Sequence, residues 1–202
     1  MADSYLGQPP SDHRELADFP AFTLKAGAIL HRVHREAFGA WFFSDDRDCR
    51  FTPLGVPGQG ACCLAEQPVG ALLEALRGER SVMVAEDDVR RRRLFTVELV
   101  RNLRLAHLDH PNAGKKGVNA EIHTTTDYDK TQGWAAALRR AGFDGLRYLC
   151  RSDPSLKQVG LALFDDQGAP ALGRWPDGDD AEISDALIAE AAEYGLRILP
   201  TP

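Results

Sequence analysis

Segments of strand length outnumber the helices in this chain, and the two kinds of segment do not alternate. Apolar alternation or short apolar runs predict strands at about 28–35, 61–65, 144–150 and 158–164, with one or two more within 94–108. Helical periodicity predicts helices at about 68–77, 130–141 and 181–194. A doubly wound parallel sheet requires a regular strand–helix alternation. The pattern therefore favours an α+β fold with a mixed or antiparallel β core flanked by helices.

The length and patterning of the chain indicate one domain with a short extension. The 202 residues are enough to bury a sizeable core. Residues 1–20 are polar and contain prolines, which predicts a flexible N-terminal arm before a single domain at 21–202. Residues 44–60 are rich in Gly, Pro and Asp, and an irregular segment of that length inside a domain is often functional. No GxGxxG sequence or P-loop follows a predicted strand.

Charge and cysteine usage exclude several classes of function. A net charge of −6 argues against direct binding of nucleic acid. The arginine run at 90–93 follows three acidic residues, which predicts a solvated face or turn, with a polyanion or partner patch as the alternative. The four cysteines show no metal-ligand spacing, so we expect free thiols and no metal. Without an export signal or an apolar run of about 20 residues, we expect a cytoplasmic protein with no membrane contact.

Arg32 and Glu74 are the charged residues whose positions carry the most information. Arg32 lies in the middle of the 28–35 strand, where its guanidinium could bind phosphate or carboxylate, or could instead face solvent or form a structural ion pair. Glu74 lies off the apolar stripe of the 68–77 helix. It could face solvent and pair with Arg77, or it could stabilise positive charge developing on a sugar. The spacing alone leaves both pairs of alternatives open.

Cys63 and Cys150 each end an apolar strand segment. Free cysteines are usually small buried apolar residues, so core packing is the simplest role for both. A nucleophilic cysteine needs a neighbouring base, and the spacing of the histidines does not place one beside either thiol.

Taken together, these segments resemble the RES domain family, which is named for an arginine, a glutamate and a serine. The matching pieces occur in the family's order and are strongest over residues 28–165. They are LHRVHREAFGAWFF (30–43), RFTPLG (50–55), GACCLAEQPVGALLEAL (60–76), YDKTQGWAAALRRAGFDGLRYLCRSDPS (128–155) and VGLALFD (159–165). The ordered set, with a DG-x-x-Y segment leading into an LALF strand, carries the resemblance.

The family's functional positions fall on five residues of this chain. The arginine corresponds to Arg32, the glutamate to Glu74 and the serine to Cys150. Arg50 stands where the family often has an arginine followed by an aromatic residue, and Cys63 stands where an aromatic residue is usual. A thiol at Cys150 donates hydrogen bonds more weakly than a hydroxyl. Cys63 offers no flat face for stacking on nicotinamide.

The resemblance implies an ADP-ribosyltransferase-like fold and an enzyme that consumes NAD as its substrate, with no resident cofactor. Glu74 would stabilise an oxocarbenium ribose as nicotinamide leaves, and Arg32 would hold the pyrophosphate or ribose side. Arg50, Cys63 and Cys150 would complete the substrate-binding set. The expected protein is the toxin of a toxin–antitoxin pair, with a helix-turn-helix antitoxin as its partner.

Two other functions stay open beside cleavage of NAD by hydrolysis or phosphorolysis. One is transfer of ADP-ribose to a protein target. The other is a catalytically degenerate member of the family that binds a nucleotide or a partner. The sequence also leaves the oligomeric state open, and a homo-oligomer is one of the alternatives.

Overall fold

The structure, a computed structural model, describes residues 5–76 and 83–200. Its strands are β1 (Ala21–Leu24), β2 (Ile29–Arg35), β3 (Gln59–Ala65), β4 (Met83–Ala85), β5 (Arg92–Glu98), β6 (Leu103–His107), β7 (Gly145–Leu149), β8 (Val159–Asp166), β9 (Asp179–Glu182) and β10 (Arg197–Leu199). Its α-helices are α1 (Pro68–Leu76), α2 (Glu86–Arg90), α3 (Glu121–Thr124), α4 (Tyr128–Arg140) and α5 (Asp185–Glu193). Short 3₁₀ helices lie at His13–Leu16, Glu36–Phe38 and Pro111–Lys116.

Eight of the strands within the described ranges form one sheet, in the order β1-β6-β7-β8-β3-β2-β5-β9. Neighbouring strands are antiparallel except for β6 and β7, which are parallel. A separate pair, β4 and β10, is parallel. This mixed, mostly antiparallel sheet flanked by helices confirms the α+β class that the sequence predicted.

Side-chain alternation along the central strands buries both faces of the sheet. In β8, Ala162 and Phe164 pack into the cluster that contains α4, whereas Leu161 and Leu163 pack into a second cluster on the other face. The neighbouring cysteines separate in the same way, because Cys62 belongs to the second cluster and Cys63 contacts the first. A strand buried on both faces reads as a nearly continuous apolar run, which explains the VGLALF sequence.

The described part of the N-terminal segment, residues 5–20, packs against α4, which differs from the flexible arm that the sequence predicted. Leu6, Leu16 and Phe19 are buried in the cluster around Trp134. The Trp134 Nε1–H donates to the carbonyl of Gly7 over 2.9 Å. Three widely spaced apolar residues in a polar segment show no periodicity, so the sequence pattern did not reveal them as anchors.

The other differences from the predicted elements are short or terminal. The strands β1, β4, β9 and β10 were not predicted, nor were the helices α2 and α3. The last helix begins at Asp185, because β9 pairs with β5 and Ser184 then caps α5 by accepting a hydrogen bond from the Leu187 N–H. Arg77, the predicted end of α1 and a possible partner of Glu74, lies outside the described residues.

Residues 5–76 and 83–200 contain neither a membrane-spanning helix nor a cluster of metal ligands. None of the helices there has both the length and the apolar character that a membrane crossing requires. The same ranges contain no group of three or more His, Cys, Asp or Glu side chains arranged to hold a metal ion.

Candidate active site

The β3–α1 connection positions Glu74. The helix begins at Pro68, where the missing N–H costs nothing in the first turn. The apolar stripe of α1 is buried as predicted and packs against β2 and α5; its members are Val69, Leu72, Leu73 and Leu76. Glu74 lies off this stripe, and its side chain is 21% exposed and lines a cavity of about 330 Å³.

Arg50 and Tyr148 hold one oxygen of the Glu74 carboxylate. Arg50 Nη2 lies 3.3 Å from Glu74 Oε2, and the Tyr148 hydroxyl donates to the same oxygen over 3.1 Å. Arg50 is itself buried, and its Nη1 donates to the carbonyl of His123. Burial disfavours the Arg50 cation, but the acidic groups around it, with Glu74 foremost, together outweigh this effect, so the pKa of Arg50 is raised. These contacts fix the direction of the carboxylate while its second oxygen makes no hydrogen bond within the described ranges.

A glycine allows Tyr148 to reach Glu74. Tyr148 on β7 pairs with Gly160 on β8, and a Cβ at Gly160 would lie only 2.4 Å from Cζ of the tyrosine ring. The ring therefore lies across the backbone of β8. Burial and the Glu74 charge raise the pKa of Tyr148 well above its ordinary value, so the phenol stays protonated and donates.

Arg32 lines the same cavity from β2. Its Nη1 donates to the Cys63 carbonyl over 3.0 Å and lies 3.1 Å from Cys62 Sγ. These contacts fix one end of the guanidinium on β3. Arg32 and Glu74 are therefore brought into one cavity wall by β2 and α1.

The charge of the cavity wall is mainly positive. Among the described residues it contains four arginines and two carboxylates: Arg32, Arg50, Arg92, Arg151, Asp48 and Glu74. One of the two carboxylates, Glu74, is already paired with Arg50. Cationic side chains in a cleft with apolar walls concentrate anionic ligands.

The cysteines are protonated and do not suit a nucleophilic role. Cys63 lines the cavity, and burial raises the pKa of its thiol to about 12. Cys150 is fully buried outside the cavity lining, and burial also raises its pKa. A nucleophilic cysteine requires a lowered pKa. Ser152, two residues after Cys150, is the hydroxyl-bearing residue of that segment that lines the cavity.

The structure thus gathers Arg32, Arg50, Cys63 and Glu74 around one cavity, whereas Cys150 is buried outside its lining. Sequence reasoning did not assign a role to Tyr148, although it stands in the DG-x-x-Y segment opposite a glycine. It also missed the wall residues Tyr128, Arg92 and Arg151. The arginine run was predicted to be a solvated face or turn, but its third residue, Arg92, begins β5, is partly buried and lines the cavity. A run of identical residues has no polar–apolar alternation, so the sequence does not indicate which arginine faces the cavity.

Comparison with known proteins adds a family and a fold. The family model of the RES domain matches residues 29–184. A chain of the M. tuberculosis MbcT–MbcA toxin–antitoxin complex, solved by crystallography, superposes with a TM-score of 0.70. The match has 18% sequence identity and covers 91% of this chain and 98% of that chain. Such low identity supports the fold alone. No curated protein matches the sequence.

Proposed function

The chain belongs to the RES domain family, and on this premise we propose that it is an enzyme that cleaves the nicotinamide–ribose bond of NAD. The bond between ribose C1 and the ring nitrogen breaks, and its electron pair passes to nicotinamide, which leaves neutral. Water or phosphate then forms the new bond to C1 and loses a proton when water is the nucleophile. The products are nicotinamide with either ADP-ribose or ADP-ribose phosphorylated at C1.

The observation that carries this proposal is the held carboxylate of Glu74 in an arginine-lined cavity. Cleavage of an N-glycosidic bond develops positive charge on the ribose, and a fixed carboxylate favours that charge electrostatically. Because Arg50 and Tyr148 both contact Oε2, Oε1 is the oxygen available to face the ribose. We therefore assign Glu74 as the catalytic residue and Arg50 and Tyr148 as its positioning residues.

We assign Arg32 to the anionic side of the substrate. Its Nη1 is bound to β3, which orients the rest of the planar guanidinium fork. A fixed fork of donors makes charge-assisted bonds to phosphate or ribose oxygens. Arg32 would thereby set the distance between the diphosphate and Glu74.

We further propose that the chain is the toxin of a toxin–antitoxin pair, with a helix-turn-helix antitoxin encoded beside it. The structural similarity to a chain of the MbcT–MbcA toxin–antitoxin complex supports this role. Induced expression of the chain should then arrest growth and deplete NAD, and expression of the neighbouring reading frame should reverse both effects. Unchanged growth and NAD content in the induced culture would contradict the toxin role.

Product analysis tests the proposed reaction. Purified protein is incubated with NAD, with and without phosphate, and the products are separated by chromatography and identified by mass spectrometry. We expect nicotinamide in equal amount to ADP-ribose or to its C1 phosphate. Labelled protein bands after incubation with tagged NAD would instead indicate transfer to a protein. Intact NAD together with measurable nucleotide binding would indicate the degenerate binding protein.

A further inference from the structure

Three arginines of the cavity wall each carry a buried nitrogen that lacks a hydrogen-bond partner among the described residues. These atoms are Nε of Arg32, Nε of Arg92 and Nη1 of Arg151. Buried polar groups are nearly always hydrogen-bonded, and an unsatisfied charged group is especially costly. Three such groups around one cavity indicate a ligand that accepts hydrogen bonds and carries negative charge.

The three side chains come from different parts of the fold and are held in place by their surroundings. Arg32 is tied to β3 through Cys63. Arg92 begins β5, opposite Arg35 of β2. Arg151 lies two residues after the end of β7, and its Nη2 donates to the Tyr128 hydroxyl over 2.8 Å. An arrangement of charges from three elements around one cavity is a property of the tertiary structure.

No carboxylate within residues 5–76 and 83–200 forms an ion pair with any of these three arginines. Arg92 also faces the like charge of Arg35, and burial together with that charge lowers the pKa of Arg92, although Asp88 opposes the shift. The folded protein therefore gathers cations in the cavity wall without neutralising them. An anionic ligand would supply the missing counter-charge.

We propose that Arg92 and Arg151, together with Arg32, form a binding site for the diphosphate bridge of a dinucleotide. The inference rests on the proposed function and deepens it, because it assigns the residues that hold the anionic centre of NAD. A diphosphate bridge carries two negative charges and several acceptor oxygens, which matches three guanidinium groups with free donors. Glu74, held in the same wall by Arg50, is then left to face the ribose.

A ligand series on the wild-type protein tests this site without any substitution. Titration calorimetry measures the binding of ADP-ribose, which contains the diphosphate, and of nicotinamide riboside, which contains no phosphate. We expect ADP-ribose to bind at least about 10-fold more tightly, since one charge-assisted hydrogen bond alone accounts for that ratio. Inorganic pyrophosphate should displace ADP-ribose. Equal affinity for the two ligands, or no displacement, would overturn the proposal.

Single substitutions then assign the site to residues. Arg92→Gln and Arg151→Gln should each weaken ADP-ribose binding about 10-fold or more and leave nicotinamide riboside binding unchanged. Arg91→Gln is the matched control, because Arg91 is exposed, is adjacent in sequence and is not in the cavity wall. Wild-type affinity for ADP-ribose in both variants would overturn the assignment. If either glutamine variant fails to fold, the corresponding lysine variant, checked by thermal melting, should show a smaller loss in the same direction.

The binding data and the NAD cleavage assay separate this inference from the proposed function. Arginine-dependent binding of ADP-ribose without cleavage of NAD would leave the diphosphate site standing and reject the catalytic function. Cleavage of NAD at the wild-type rate and with the wild-type KM in Arg92→Gln and Arg151→Gln would support the function and reject the site.

Discussion

Arg50→Met is the substitution that examines most closely how Glu74 is held. Methionine retains an unbranched side chain of similar length and removes the guanidinium. The contact with Glu74 Oε2 at 3.3 Å is lost, and so is the bond to the His123 carbonyl. The guanidinium also lies 4.9 Å from the centre of the Tyr148 ring, and that cation–π contact disappears. Each lost contact leaves a buried or partly buried group without its partner.

The expected cost is about 3 kcal/mol of unfolding free energy. Removing one partner of a buried ion pair typically costs ~3–5 kcal/mol, because the other charge stays buried without compensation. The Arg50 side chain is 7% exposed, but that of Glu74 is 21% exposed, so water partly hydrates the orphaned carboxylate. The lower end of the range therefore applies. For a chain of this size the melting temperature should fall by about 6–12 °C.

A double-mutant cycle measures whether the cost comes from Glu74. Urea unfolding is recorded for the wild type, Arg50→Met, Glu74→Gln and the double variant, and Arg47→Met serves as an exposed control from the same loop. We expect a coupling energy of about 1–2 kcal/mol between positions 50 and 74, and a change within about 0.5 kcal/mol for the control. The reasoning is refuted if Arg50→Met costs the same in the Glu74→Gln background as in the wild type.

Three further substitutions test the surroundings of the site. Gly160→Ala should displace the Tyr148 ring, because the new Cβ would lie 2.4 Å from its Cζ. We expect a loss of about 1–3 kcal/mol in the free energy of unfolding and slower NAD cleavage. Wild-type stability together with a wild-type cleavage rate would contradict the packing argument. Burial lowers the pKa of His123 to about 4, below an unfolded value of about 6.5, so the unfolded chain binds a proton first as the pH falls. Neutral His123 therefore contributes ~3 kcal/mol to the free energy of unfolding, and this contribution is lost as the pH falls from about 6.5 to 4. Urea unfolding across this pH range should show a weaker pH dependence of stability for His123→Gln than for the wild type. The same pH dependence in both proteins would reject this role of His123. Cys150→Ser should keep NAD cleavage near the wild-type rate, because Cys150 is buried outside the cavity lining; complete loss of cleavage would indicate a role for the thiol itself.

The sequence predicted the elements that carry the site better than the contacts that build it. Apolar periodicity gave α1, α4 and the central strands, because burial on one face or both leaves a repeating signal. The short strands β4 and β10 pair with each other, with residue numbers far apart, and leave no such signal. Their pairing depends on tertiary packing.

The candidate site shows the same division at the level of single residues. Off-stripe placement marked Glu74 as distinct, but spacing left open whether it faces solvent or a substrate. Only the fold brings Arg50 and Tyr148 to its carboxylate. The separation in sequence between Glu74 and Tyr148 is 74 residues, which no local pattern spans. Likewise, only the folded path of the chain brings Arg92 and Arg151 to the cavity wall.

The most direct measurement of the central claim is the rate of NAD cleavage by Glu74→Gln. The substitution keeps the size of the side chain and an oxygen that Tyr148 can bind, and it removes the negative charge. We expect the rate to fall at least about 100-fold, which is the scale for loss of one electrostatic contact to the transition state. Binding of NAD should persist, and Glu190→Gln, an exposed glutamate on α5, should cleave at the wild-type rate. Cleavage by Glu74→Gln at the wild-type rate, or intact NAD after incubation with the wild type in the presence and absence of phosphate, would contradict the account.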